Sequence, residues 1–212
     1  ACCESSNAIA ARPIEPEHIT RMKITNVKLT LFAWDGIPPT SYGAHSGTLT
    51  LSSKLGLLAI ETDQGLTGHA FLGSAAYPAD MDGPSLLRFL KPLLMGQDPL
   101  ERERLNRMLW KRGRNTSVPA IGAVDIALWD IAGKAAQMPI HQLLGAFRDR
   151  IPAYASSQVL AGPEAYAEEA LQYKEMGWHA YKIHPRQIWR EDIRACEAAR
   201  RTLLSQGYAI AR

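Results

Sequence analysis

Hydrophobic and polar residues alternate in two early stretches of the chain. The first, residues 22–33, carries leucine and β-branched residues at alternate positions and predicts a strand. The second, residues 49–73, holds two apolar segments separated by Thr-Asp-Gln-Gly, a turn-forming sequence that predicts a β-hairpin. Three antiparallel strands are therefore expected within residues 22–73. Between them, residues 33–48 are rich in Gly, Pro and Ser and predict a long loop.

Apolar residues recur at helical spacing through the middle of the chain. This period predicts helices over residues 84–95, 100–112 and 118–137, with a short helix at 139–144 that Gly145 ends. These helices follow the three strands without further strand signals, so residues 22–150 are predicted to form one α+β domain.

From residue 151 onward, short apolar runs alternate with helical patterns. The order is a strand at 151–157, a helix at 163–176, a strand at 179–185, a helix at 190–204, and a strand that begins in the final Gly-Tyr-Ala-Ile-Ala-Arg. That rhythm is typical of parallel strands joined by helices. Residues 151–212 are therefore expected to begin an α/β domain. Residues 1–21 show no period and are predicted to be either a disordered tail or translated sequence upstream of the natural start.

Charge and cysteine usage narrow the class of protein. The formal net charge is only +3, and the densest basic run, 101–114, mixes six Arg or Lys with two Glu. A solvated helix face explains this run better than a phosphate or nucleic-acid contact, although both remain open. The three cysteines show neither a disulfide framework nor zinc spacing, which favours a reducing cytoplasm. No apolar run approaches the ~18 residues that a membrane span needs.

Residues 120–145 carry the most specific motif in the chain. Small residues recur along it, together with Asp125, Asp130, Lys134, Pro139 and a closing Leu-Leu-Gly. This segment is similar to the signature segment of the mandelate racemase/muconate lactonizing enzyme family, within the enolase superfamily. The same residues also suit close helix packing, with Asp130 and Lys134 as an i,i+4 ion pair. The two accounts are compatible, because the segment is mostly structural in that family.

The resemblance implies a fold and a chemistry. The fold is an α+β capping domain, here 22–150, followed by a TIM-type barrel of which 151–212 would be the incomplete beginning. The chemistry is Mg²⁺-dependent removal of the proton next to the carboxylate of a hydroxy or sugar acid, in a dehydratase or racemase, with a cycloisomerase as a further alternative. The substrate is then a small-molecule carboxylate rather than a nucleic acid or a membrane, and full-length relatives are expected to be homo-oligomers.

Lys182 and His184 are the candidate catalytic residues. They share one face of a predicted strand and lie near its end, where a barrel opens onto its active site. The resemblance implies a Lys-x-Lys motif here: Lys182 matches the lysine that lies near the substrate carboxylate, and His184 replaces the acid/base lysine. A histidine titrates near neutral pH, so it could act as a base. The alternatives are a structural ion pair for Lys182 and a structural histidine for His184.

The resemblance also bears on the loop at 33–48 and on the metal ligands. Tyr42 and His45 lie in the loop that the resemblance places over the barrel mouth, so they are candidate substrate contacts; an exposed loop histidine is the alternative. The family's three metal-binding carboxylates end later strands, and none is expected in this sequence. We therefore expect a truncated or partial relative that is inactive alone. The alternative function is a non-catalytic remnant that acts as a capping or oligomerisation module.

Overall fold

The first part of the chain forms the expected three-stranded antiparallel sheet. A computed structural model describes residues 21–37 and 52–209. Strands β1 (Ile24–Asp35), β2 (Ser52–Thr62) and β3 (Thr67–Leu72) pair in the order β1-β2-β3. The turn between β2 and β3 includes Gly65, whose φ of +78° favours glycine. The predicted hairpin is therefore confirmed.

Strand β1 extends two residues beyond its predicted end. Trp34 pairs with Ser53 and Asp35 with Ser52, so the backbone ladder continues until Gly36. The prediction ended the strand at 33 because residues 33–48 are rich in Gly, Pro and Ser, although the first of these residues still pair through their backbone. Residues 38–48 of the predicted loop, which include Tyr42 and His45, lie outside the described residues, as does the predicted tail except for Arg21.

The first helical segment begins five residues earlier than its pattern predicted. Helix α1 (Ala79–Ser85) leads into a π-helical turn (Leu86–Leu90) and then into α2 (Lys91–Leu94). The buried residues of α1 are Ala79 and Gly83, which are too small to register as an apolar stripe.

Helices α3 (Arg102–Trp110), α4 (Val118–Ala135) and α5 (Ile140–Leu143) confirm the remaining helices of this part. Helix α4 lies against β3 and β2. The resulting core draws on both the sheet and the helices, and its largest fully buried members include Ile24, Leu58, Ile60, Leu86, Leu90, Leu94, Leu105, Leu109, Ile121, Leu128 and Ile131.

The second part of the described chain has the expected alternation of strands and helices. It consists of β4 (Ala155–Ser156), α6 (Pro163–Glu175), β5 (Tyr181–Lys182) and α7 (Trp189–Ser205). Strands β4 and β5 are parallel neighbours, and α6 packs on α7. This is the beginning of an α/β fold.

Both strands of this second part are much shorter than predicted. Each has two residues, against seven in each of the predicted strands, 151–157 and 179–185. Pro152 and Pro185 lack the N–H that would extend the ladder, and a two-stranded sheet offers each strand few partners. Residues 207–209 form no strand, and the remainder of the predicted third strand lies outside the described residues. Within the described ranges, no helix is both long enough and apolar enough to span a bilayer.

Candidate active site

The carboxyl ends of β4 and β5 bring the candidate residues together. Ser156 is the register partner of Lys182, and the backbone N–H of Ser157 donates to the carbonyl of Lys182 at 2.9 Å. Ala155 and Ser157 are buried, whereas Ser156 and Lys182 are exposed. Since side chains alternate along a strand, Ser156 and Lys182 occupy the face opposite the buried pair.

The other face of this small sheet is turned toward the helices. The Tyr181 hydroxyl donates to the Glu169 carboxylate of α6 at 2.6 Å. Burial, followed by this hydrogen bond, raises the pKa of Tyr181 well above its ordinary value, so its hydroxyl stays protonated. A cavity of ≈ 520 Å³ also lies on this face, where Tyr181, Ile183 and Cys196 contribute to its lining. Lys182 therefore lies on the face that the helices leave open.

Lys182 contacts an aromatic ring rather than an acid. Its Nζ lies 5.8 Å from the centroid of the Tyr154 ring, which is 54% exposed. Within the part of the chain that the structure describes, Lys182 forms no salt bridge with a carboxylate. A cation over an aromatic face keeps its full charge available to an incoming anion.

His184 lies two residues beyond the end of β5, rather than inside the strand as its sequence position predicted. Its backbone N–H donates to the Ser157 hydroxyl at 2.8 Å, and its carbonyl accepts from the Tyr166 hydroxyl at 2.8 Å. Its Nδ1 lies 2.6 Å from the Ser157 carbonyl oxygen and 3.2 Å from the Ser156 hydroxyl. The Ser156 contact places the imidazole on the same face as Lys182.

The loops that follow β4 and β5 are joined to each other by hydrogen bonds. Tyr166 of α6 is 2% exposed, and its hydroxyl also accepts the N–H of Leu160 at 3.0 Å. The Arg186 guanidinium donates to the carbonyl of Ala161 at 3.0 Å. These contacts fix the segment that carries His184 relative to the end of β4.

Sequence reasoning missed Ser156, Ser157 and Tyr166. Two hydroxyl residues at the carboxyl end of a predicted barrel strand were an available signal, because polar residues there are often functional. Tyr166 offered no such signal, since an aromatic residue on a helix usually belongs to the core.

Tyr42 and His45 lie outside the described residues. Among the residues 21–37 and 52–209, no group of three His, Cys, Asp or Glu side chains could hold a metal ion.

The architecture is of the enolase type: an α+β domain of three antiparallel strands with helices, followed by parallel βα units. Residues 45–145 match the family model described as the N-terminal domain of mandelate racemase/muconate lactonizing enzyme. The chain belongs to the mandelate racemase/muconate lactonizing enzyme family of the enolase superfamily.

Three relatives illustrate the similarity. An N-succinyl-L-Arg/Lys racemase from Bacillus cereus is 32% identical over 171 residues, 76% of this chain and 43% of the racemase. A cis-3-hydroxy-L-proline dehydratase from Roseibium aggregatum is 34% identical over 157 residues, 72% of this chain and 42% of the dehydratase. The structure of D-glucarate dehydratase from Agrobacterium tumefaciens, complexed with magnesium, aligns with a TM-score of 0.69 and 27% identity over 87% of this chain and 52% of that one. The chain thus spans about half the length of these relatives.

Proposed function

We propose that the whole protein removes the proton next to the carboxylate of a hydroxy or sugar acid, in a Mg²⁺-dependent dehydration or racemisation. The observation that carries this proposal is the pairing of Lys182 with His184 on one open face, at the carboxyl ends of two parallel strands. The names of the relatives, which include a racemase and two dehydratases, agree with it.

Lys182 is proposed to bind the substrate carboxylate. Its ammonium group lies over an aromatic ring and forms no salt bridge with the described carboxylates, so an arriving anion would meet an uncompensated positive charge. An ammonium placed there also stabilises the negative charge that develops on the carboxylate oxygens as the neighbouring proton leaves.

His184 is proposed to be the base. Its backbone and one ring nitrogen are held by hydrogen bonds, so the imidazole has a defined orientation. A positioned base of this kind contributes about 10²–10⁴-fold to a proton transfer. The remaining acceleration requires that the charge of the deprotonated acid be stabilised.

Magnesium does not fit the described residues. Mg²⁺ requires oxygen ligands in near-octahedral geometry, and no trio of acidic or histidine side chains is available in residues 21–37 or 52–209. In the proposal, the ligands belong to the part of the whole protein that corresponds to the other half of the relatives' length. We accordingly expect the 212 residues alone to show no turnover.

Several finer assignments belong to the same proposal. A domain boundary near residue 150 is supported by the main buried cluster, whose members lie within residues 22–131. Tyr42 and His45 are proposed to contact substrate from the loop between β1 and β2. Homo-oligomerisation of the whole protein stays a prediction, which sedimentation would test.

The test is proton exchange in D₂O. The protein as its gene encodes it is incubated with Mg²⁺ and a panel of hydroxy and sugar acids, and deuterium at the carbon next to the carboxylate is measured by mass spectrometry. Lys182→Met and His184→Gln should each lower exchange by about 10²-fold or more. Arg201→Gln, at an exposed position of α7, is the matched control. Full exchange in both site variants would contradict the proposal, and so would an unreactive wild-type protein.

A further inference from the structure

The contacts of one ring nitrogen of His184, Nδ1, indicate where its proton lies. Nδ1 is 2.6 Å from the carbonyl oxygen of Ser157. A carbonyl oxygen only accepts hydrogen bonds, so at this distance Nδ1 must carry a hydrogen and donate it. An unprotonated Nδ1 would instead direct its lone pair at the lone pairs of the carbonyl.

The Ser156 hydroxyl does not alter this conclusion. It lies 3.2 Å from the same Nδ1, and a hydroxyl can either donate or accept. With Nδ1 protonated, both oxygens can share one N–H. With Nδ1 unprotonated, Ser156 could donate, but the shorter contact to Ser157 would then be repulsive.

We propose that Ser157 and Tyr166 are positioning residues that hold His184 in the tautomer with its proton on Nδ1. In the neutral ring, Nε2 is then the nitrogen with the lone pair and the atom that acts as the base. When the substrate C–H bond breaks, its proton goes to Nε2, and the electron pair stays on the substrate carbon, conjugated with the carboxylate. The catalytic meaning of the tautomer rests on the proposed function, whereas the tautomer itself does not.

Both positioning residues are held rigidly. Ser157 is 1% exposed and Tyr166 is 2% exposed. Ser157 contacts His184 twice, because its carbonyl faces Nδ1 and its hydroxyl accepts the backbone N–H. Tyr166 uses its hydroxyl as both donor and acceptor, to His184 and from Leu160. The backbone on either side of the ring is therefore fixed, and ring rotation away from the carbonyl would cost a partly buried hydrogen bond.

The test reads the tautomer directly. The 212-residue chain is labelled with ¹⁵N-histidine, and long-range ¹H–¹⁵N spectra are recorded at a pH of about 8.5, where an ordinary histidine is neutral. His184→Gln assigns the signal, and the exposed His141 is an internal reference. We expect His184 to show a protonated Nδ1 and an unprotonated Nε2. A proton on Nε2 would overturn the proposal.

Substitution of Tyr166 tests its role separately. Tyr166→Phe keeps the buried ring but removes the hydroxyl, and should lower the ratio of the Nδ1–H to the Nε2–H tautomer by roughly fivefold. Tyr173→Phe, on the same helix, should leave the ratio unchanged. An unchanged ratio in Tyr166→Phe would show that Tyr166 does not position the ring. If Tyr166→Phe does not fold, Ser157→Ala provides a second variant.

The two proposals fail in different ways. If His184 shows the Nδ1–H tautomer but His184→Gln keeps full proton exchange, the proposed function of His184 is wrong and the structural inference stands. If exchange depends on His184 but its proton lies on Nε2, the positioning inference is wrong and the proposed function stands.

Discussion

The carboxylate of Asp130 on α4 accepts the backbone N–H of His69 on β3 at 2.8 Å. The Nζ of Lys134 donates to the same carboxylate oxygen at 2.7 Å and to the carbonyl of Thr67 at 2.6 Å. The i,i+4 pair predicted from sequence is therefore confirmed. Both of its members also form hydrogen bonds with the backbone of β3. The pair attaches the longest helix of the first part to the edge strand of the sheet.

The charge of Asp130 should make stability depend on pH. Desolvation by burial opposes ionisation, but the hydrogen bonds from Lys134 and His69, with their charges, lower the pKa of Asp130 overall. A lowered folded-state pKa stabilises the protein above the unfolded value of 3.8, and this contribution is lost as the pH falls through the folded value. We expect Asp130→Asn to lower the free energy of unfolding by about 1–2 kcal/mol at neutral pH.

Urea unfolding across a pH series measures this effect. The difference between wild type and Asp130→Asn should shrink as the pH falls below 3.8 and through the lowered pKa of the folded state, where the wild-type carboxyl also becomes neutral. The exposed Asp149→Asn is the matched control and should change little at any pH. A difference that stays constant with pH would show that the charge is not responsible.

Gly68 should resist substitution because β3 and α4 approach closely there. A Cβ at position 68 would overlap the carbonyl oxygen of Ala127 and lie 2.7 Å from Cγ1 of Ile131. Backbone cannot move aside cheaply, so Gly68→Ala should destabilise the protein by about 2–3 kcal/mol. Gly122→Ala is the control, since nothing lies within 4 Å of its added Cβ, and it should stabilise by about 0.5–1 kcal/mol. Equal thermal midpoints for the two variants would contradict this packing.

Ser117 should stabilise the start of α4. Its hydroxyl accepts the backbone N–H of Ala120 at 3.1 Å, in the N-cap arrangement. Ser117→Ala leaves that donor without its partner and should lower the free energy of unfolding by about 1 kcal/mol. Ser117→Asp restores an acceptor and should recover most of the loss in the same urea titration. An alanine variant as stable as wild type would mean that water replaces the cap at no cost.

Lys91 should stabilise the irregular start of β1. Its Nζ donates to the side-chain oxygen of Asn26 at 2.9 Å and to the carbonyl of Val27 at 2.8 Å, next to the register shift between Ile24 and Asn26. Lys91→Met would leave a half-buried carbonyl without its donor, at a cost of about 1–2 kcal/mol by chemical denaturation. The exposed Lys28→Met should cost less than about 0.5 kcal/mol. Similar losses in both variants would refute a specific role for Lys91.

The first part of the fold was largely predictable because its signals are local. The hairpin of β2 and β3 follows from turn residues between two apolar runs, and α4 follows from a strong apolar period. The start of α1 was missed because the buried Ala79 and Gly83 contribute little hydrophobicity. The lengths of β4 and β5 were missed because strand length depends on partners, which a periodic pattern does not contain.

For the candidate site, the sequence alone showed that a lysine and a histidine lie two residues apart near the end of a predicted strand. Lys182 and His184 were identifiable because a strand's period is two and because ionisable groups are rare in buried strands. Only the tertiary structure could show that Ser157 and Tyr166 contact His184, because they precede it by 27 and 18 residues. The orientation of the ring depends on hydrogen bonds with those residues, and such bonds form only when the chain folds back on itself.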